Sequence, residues 1–280
     1  MKRTSELVLS ALILVLAAAA AITGLAAPSI YRDAASVVPQ ALGQDAVTLF
    51  VAVPLLAVAT FAMRRGSLRG RLLWLGALGY MAYAYGTYAL WAHWNPLFLV
   101  YVALFGLSLY AVALGLVRTD AAGLRAALVT TRPARPVAWF LFIAALLVSA
   151  LWLSEEVTAL VRGEVPPTIV QMESDTNVVH VFDLGVVMPA FVIAAVLLLR
   201  DRPWGYVLAS LLLVKAATIG LAVLAMMWFT VRAGLEVAVP YALFFLALTA
   251  SAVGYSWQLL GALGKRGTVA PMRRYHEAAV

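Results

Sequence analysis

Apolar residues in this chain form long, uninterrupted stretches that are separated by short polar segments. About twenty apolar residues allow a helix to cross the hydrocarbon core of a bilayer, whereas a membrane-embedded strand would alternate apolar and polar positions. The continuous pattern predicts spans at about 7–27, 46–63, 72–92, 97–117, 137–155, 178–199, 205–229 and 239–262. We therefore expect an all-α integral membrane protein with about eight transmembrane helices.

The amino-acid composition agrees with this pattern and indicates that lipid surrounds most of the chain. Apolar residues make up 64% of the 280 positions and charged residues 12%, against roughly 45–50% and 25% in soluble domains. The net charge of the chain is +7. The basic residues lie in short clusters between apolar stretches, which is the distribution expected from the positive-inside rule. The lipid bilayer is thus the expected partner, and no nucleic acid is expected.

The charge distribution predicts an orientation. One set of alternate segments holds sixteen basic and four acidic residues, and the opposite set holds three basic and eight acidic residues. Because positive residues are retained in the cytoplasm, we predict the cytoplasmic (inner) membrane of a bacterium, with both termini cytoplasmic. The first apolar stretch resembles a signal peptide, but its length and Pro28 favour its retention as a span.

The two halves of the chain resemble each other. A shift of 135 residues without a gap places Pro54 on Pro189, Arg65 on Arg200 and Gly70 on Gly205. Apolar hairpins with short basic loops also align by chance, so a duplication remains a hypothesis.

A duplication would divide the chain into two membrane units and two cytoplasmic segments. The four-helix units would be 1–117 and 137–262, joined by a cytoplasmic linker at 118–136 and followed by a tail at 263–280. Units with an even number of spans are parallel repeats, related by an axis along the membrane normal.

Ionisable residues inside the predicted spans mark a candidate ligand-binding site. Lys215 lies about ten residues into the seventh span, and Asp183 about five residues into the sixth from the opposite side. A rise of about 1.5 Å per residue places them at an axial offset of roughly 7–8 Å, which allows a direct or water-bridged ion pair. His180 lies on the same helix face as Asp183. A purely structural pair between two helices is the alternative.

The third span adds two hydroxyl groups to this site. Tyr80 and Tyr83 lie deep in the span, where they need hydrogen-bond partners, and they either line a pocket or pack in the core. The histidines show no metal-ligand spacing, so no metal site is predicted, and no motif identifies a cofactor or a catalytic residue. No cysteine is present.

Three functions fit these features. The first is a small-solute or ion carrier or channel with a polar site at the bilayer midplane. The second is a non-catalytic sensor or partner subunit that meets another protein through outer loops 28–45 and 156–177. The third is an intramembrane enzyme acting on a lipid or quinone, with His180 and Asp183 handling a proton. The sequence does not decide whether the chain is an enzyme.

Overall fold

The computed structural model describes residues 4–264, and these form an all-α multi-pass membrane protein, as predicted. The α-helices are α1 (Thr4–Ala26), α2 (Val38–Arg64), α3 (Leu68–Trp91), α4 (Phe98–Val117), α5 (Ala121–Ala126), α6 (Ala134–Arg162), α7 (Pro167–Gln171), α8 (Val178–Leu199), α9 (Pro203–Arg232) and α10 (Val239–Gly261). Lys2, Arg3 and the predicted tail from residue 265 onward lie outside the described residues.

Among the described residues, seven helices are long and apolar enough to cross a membrane, in agreement with the prediction of about eight. These are α1, α2, α4, α6, α8, α9 and α10. The 24-residue α3 is long enough, but it carries Arg69, Arg71 and several tyrosines. It is packed between α2, α4 and α9 and more than half of its residues are buried, so it does not need an apolar surface toward lipid.

The two loops predicted at 28–45 and 156–177 are shorter than the sequence predicts because helices continue into them. Helix α2 begins at Val38 rather than near 46, with Pro39 in its first turn, where the missing N–H costs no hydrogen bond. Helix α6 runs to Arg162 and ends at Gly163, whose φ of 67° suits a left-handed C-terminal cap. The predicted loop 156–177 therefore contains the end of α6 and the short helix α7.

Helices α2 and α8 each contain one π-helical turn, at Thr48–Ala52 and Asp183–Val187. Each turn is followed by one residue and then a proline, Pro54 or Pro189. Proline removes a backbone donor and crowds the preceding turn of an α-helix, and the wider π-turn accommodates that crowding. Both turns begin with a buried polar residue that faces the bundle interior.

Helix α9 is the most enclosed of the spanning helices, and α2 and α3 approach it through small residues. Gly76 of α3 faces Val214, and Gly43 of α2 lies against the backbone of Met226. In lipid, such close approaches supply the van der Waals contact that holds helices together.

Gly43→Ala is expected to destabilise the fold by about 1–3 kcal/mol, because overpacking forces backbone shifts. A β-carbon at Gly43 would lie 2.5 Å from Met226 Cα and 2.7 Å from the carbonyl carbon of Ala225. Thermal melting in a neutral detergent measures the loss. Gly106→Ala is the matched control, since a β-carbon there meets nothing within 4 Å. Equal melting temperatures for both variants would contradict the close α2–α9 contact.

Candidate functional site

A cavity of about 720 Å³ lies between α2, α3, α6, α8, α9 and α10. Its mouth is formed by the segments before α2, around α7 and between α9 and α10, with Asp33 and Glu236 among the lining residues. Its walls are mostly apolar and aromatic, including Phe140, Val148, Ile219, Phe245 and Leu248. Such a cleft with a few polar groups is the usual form of a small-molecule site.

Lys215 lies at the inner end of this cavity. It is twelve residues from the start of α9, about 18 Å along a helix, and so near the middle of a bilayer core about 30 Å thick. The residue is only 6% exposed, and its Nζ lies 3.7 Å from the centroid of the Tyr83 ring. Within residues 4–264, no acceptor lies within hydrogen-bond distance of this ammonium group.

Asp183 also lines the cavity, and each of its oxygens accepts a hydrogen bond from a neutral donor. The Tyr83 hydroxyl donates to Oδ1 at 3.0 Å, and the Trp152 indole N–H donates to Oδ2 at 3.0 Å. Within the described chain, Lys215 and Asp183 form no ion pair within 4.0 Å. The two charged residues instead meet through Tyr83, which contacts both.

His180 lies one helical turn from Asp183, toward the mouth. Its Nδ1 is 2.6 Å from Oε1 of Glu156, and its ring lies 4.5 Å from that of Trp152, measured between centroids. The Glu156 side chain is one third exposed. Polar groups therefore follow one another from solvent to Asp183, through Glu156, His180 and Trp152.

Tyr80 is the candidate residue that does not line the cavity. Its ring is fully buried, and its hydroxyl lies 2.7 Å from the Thr48 hydroxyl. Tyr80 therefore packs in the core with its hydroxyl satisfied, whereas Tyr83 forms part of the cavity wall.

Sequence reasoning missed Trp152 and a second buried carboxylate. Asp45 of α2 is 2% exposed and accepts hydrogen bonds from the hydroxyls of Tyr31 and Tyr88. Burial and the neighbouring Asp45 raise the pKa of Tyr31, so this phenol remains a donor. Gly24 of α1 makes room for the contact, because a β-carbon there would overlap both side chains.

This second cluster could have been found from the sequence. If α2 is started at Pro39, a residue that favours the first turn of a helix, Asp45 falls inside the span as an ionisable residue and therefore marks a candidate site.

The described residues hold no group of three or more His, Cys, Asp or Glu side chains that could bind a metal ion. The inner part of the site thus offers one cation, one hydrogen-bonded carboxylate and aromatic walls. No protein-family model, curated protein or solved structure matches this chain.

Proposed function

We propose that this protein is a carrier for small organic solutes and that its binding site is the cavity that ends at Lys215. The observation that carries the proposal is a buried cation that has no hydrogen-bond acceptor among residues 4–264 and lies at the inner end of a cavity that opens at one face. Charged residues at the membrane midplane are costly and generally mark substrate or ion pathways.

Beyond Lys215, the bundle is closed by packed side chains. Val214 and Leu211 of α9 lie against Gly76 of α3, and the neighbouring Leu78 and Val207 are fully buried. A cavity open at one end and closed at the other is expected of a carrier in one of its two access states, and it argues against a continuous channel.

An internal duplication supports the same proposal, because many carriers consist of two related halves with the site between them. The π-turns at Thr48–Ala52 and Asp183–Val187 differ by the 135 residues that align the sequences. The first residue of α3, Leu68, and that of α9, Pro203, differ by the same number.

The turns that follow these π-containing helices correspond in detail. The Ser67 N–H donates to Ala62 O at 3.1 Å, and the Arg202 N–H donates to Leu197 O at 2.8 Å. Gly66 and Asp201 occupy equivalent positions with φ of 84° and 52°. Gly70 packs on residues 62 and 63, and Gly205 packs on residues 197 and 198.

We propose two parallel four-helix units, 1–117 and 137–262, joined by the linker 118–136. Asp183 would then be the counterpart of Thr48, and Lys215 that of Tyr80, which are hydrogen-bonded to each other. Both halves have a polar cluster at the same depth, and only the charged one lines the cavity. The second half would have become the binding site, while the first kept a neutral core.

The proposed orientation places the cavity mouth on the outer side of the cytoplasmic membrane, with both termini in the cytoplasm. The basic residues Arg64, Arg65, Arg118, Arg125 and Arg200 lie at the end of the bundle opposite the mouth. The acidic residues Asp33 and Glu236 line the mouth, in agreement with the positive-inside rule.

A single cysteine at Ala216 tests the carrier proposal, since the chain has no cysteine of its own. Ala216 lines the cavity next to Lys215. A membrane-impermeant thiol reagent is expected to label Ala216→Cys from outside in intact cells and also from inside in inverted vesicles, because a carrier alternates its access. Leu109→Cys is the control: Leu109 is about half exposed on the outer surface of α4, where lipid excludes the reagent.

Labelling from the outer side alone would contradict a carrier. It would favour the sensor or partner-subunit alternative, in which the cavity is a fixed vestibule. Labelling from neither side would contradict an aqueous cavity at this depth.

A further inference from the structure

We propose that Lys215 binds the carboxylate of an amphipathic organic acid whose apolar body lies along α6 and α10. The inference rests on the proposed carrier function for its role in transport, but the binding it describes is measurable by itself.

The carboxylate head group of the ligand is inferred from the unused hydrogen-bond donors of Lys215 at the inner end of the cavity. An ammonium group has three N–H donors and no acceptor, and Lys215 has no acceptor in hydrogen-bond distance within the described chain. Its 6% exposure means that bulk water does little to solvate it. A buried charge is costly unless it is paired, so the geometry calls for an anionic or strongly accepting group beside Nζ.

Asp183 does not fill that role. Its two oxygens already accept from Tyr83 and Trp152 at 3.0 Å each, and no described Lys215–Asp183 ion pair lies within 4.0 Å. The two neutral donors hold the carboxylate beside Trp152 of α6. The Lys215 ammonium lies over the Tyr83 ring at the wall of the cavity.

The charge of the site favours a single carboxylate over a phosphate. Lys215 is the sole lysine or arginine among the described lining residues, and phosphate sites usually combine several cationic or backbone N–H donors. Asp33 and Glu236 add negative charge at the mouth. One carboxylate neutralises one ammonium, whereas a doubly charged phosphate would leave an unpaired negative charge in an apolar site.

The apolar body of the ligand is inferred from the side chains that line the cavity. Phe140 and Val148 of α6 and Phe245 and Leu248 of α10 line the cavity beside Lys215. On the lipid side, a second, apolar groove between α6 and α10 shares Ala238 and Tyr241 with the cavity. This groove offers a molecule with an apolar body a route into the cavity from the lipid that does not pass through the acidic mouth.

Four probes that share an indole ring system but differ in their head groups test the inference. Indolepropionate carries a carboxylate, indolepropionamide a neutral amide, tryptamine an ammonium group, and tryptophan both charges. Binding to purified protein in a neutral detergent is followed by thermal shift, which reports ligand affinity through mass action. Indolepropionate is expected to bind wild-type protein most tightly. Lys215→Met is expected to weaken it by about ten- to a hundredfold, the value of one charged hydrogen bond, and Lys215→Arg to retain most of it.

The alternative outcomes test the carboxylate assignment and, with the labelling experiment, separate it from the carrier proposal. Equal binding of the acid and the amide, or unchanged binding by Lys215→Met, would overturn the carboxylate assignment. Preference for tryptamine would show that Asp183 and the acidic mouth determine the ligand, and preference for tryptophan that both charges do. Lys215-dependent binding of the acid, with Ala216→Cys labelled from one side alone, would keep the ligand class and reject the carrier. Should Lys215→Met fail to fold, Lys215→Gln supplies the same comparison.

Discussion

Arg71→Met is expected to lower the free energy of unfolding by about 3 kcal/mol, the lower end of the usual cost of removing one member of a buried ion pair, because Arg118 NH1 remains 4.0 Å from Glu6 Oε1. Arg71 NH1 lies 2.8 Å from Oε1 of Glu6, whose side chain is 3% exposed. Arg71 NH2 also donates to the carbonyl of Gly115 at 2.8 Å, and Nε donates to Thr119 at 3.2 Å. One guanidinium thus joins α1, α3 and α4 at the end opposite the cavity mouth.

The control for this prediction is an exposed pair at the same end of the bundle. Arg125 NH2 lies 2.7 Å from Asp201 Oδ2, and the hydrogen bonds from Arg125 lower the pKa of Asp201 to about 2. The Asp201 side chain is 58% exposed, so solvent screens the pair, and Arg125→Met is expected to cost at most about 1 kcal/mol. Unfolding in mixed detergent micelles compares the two variants. Equal losses would show that Arg71 and Glu6 are not a structural pair.

The sequence predicted the helices well because lipid selects for one simple property, an apolar stretch of sufficient length. The predicted spans agree with α1, α4, α8 and α10 to within a few residues. The start of α2 was missed because Gln40, Gln44 and Asp45 are polar residues that face the bundle interior, where apolar character is not required. The same reason lowers the hydropathy of α3, whose tyrosines pack among neighbouring helices.

The candidate site was less predictable than the helices. Depth along a helix follows from counting residues, and it placed Lys215 and Asp183 within reach of each other. Rotation about the helix axis does not follow from one sequence, and it decides that Tyr83 lines the cavity whereas Tyr80 does not. Trp152 could not be found from a pattern, because α6 and α8 meet through tertiary packing rather than through any local spacing.

The largest expected effect at the site itself comes from Asp183→Ala. The change leaves the Tyr83 hydroxyl and the Trp152 indole N–H without their acceptor, at about 1–3 kcal/mol for each donor that finds no other partner. It also removes the negative charge nearest to Lys215. Lys215→Met is expected to cost less, because methionine is of similar length and the lysine forms no hydrogen bond with the described residues.

The double variant Lys215→Met/Asp183→Ala decides whether the two charges form one structural pair. If Lys215 mainly serves a ligand, removing it from the Asp183→Ala variant eliminates the unpaired cation of that variant. It does not restore a hydrogen-bond acceptor for the Tyr83 hydroxyl and the Trp152 indole N–H. The double variant should then melt between the two single variants, with Lys215→Met the most stable of the three. If the residues are instead a simple ion pair, the double variant should be more stable than either single one, since each single change leaves a charge unpaired. Thermal melting of the three variants separates these orders. The first order would also show that Lys215→Met is folded well enough for its ligand binding and labelling to be interpreted as effects on the site.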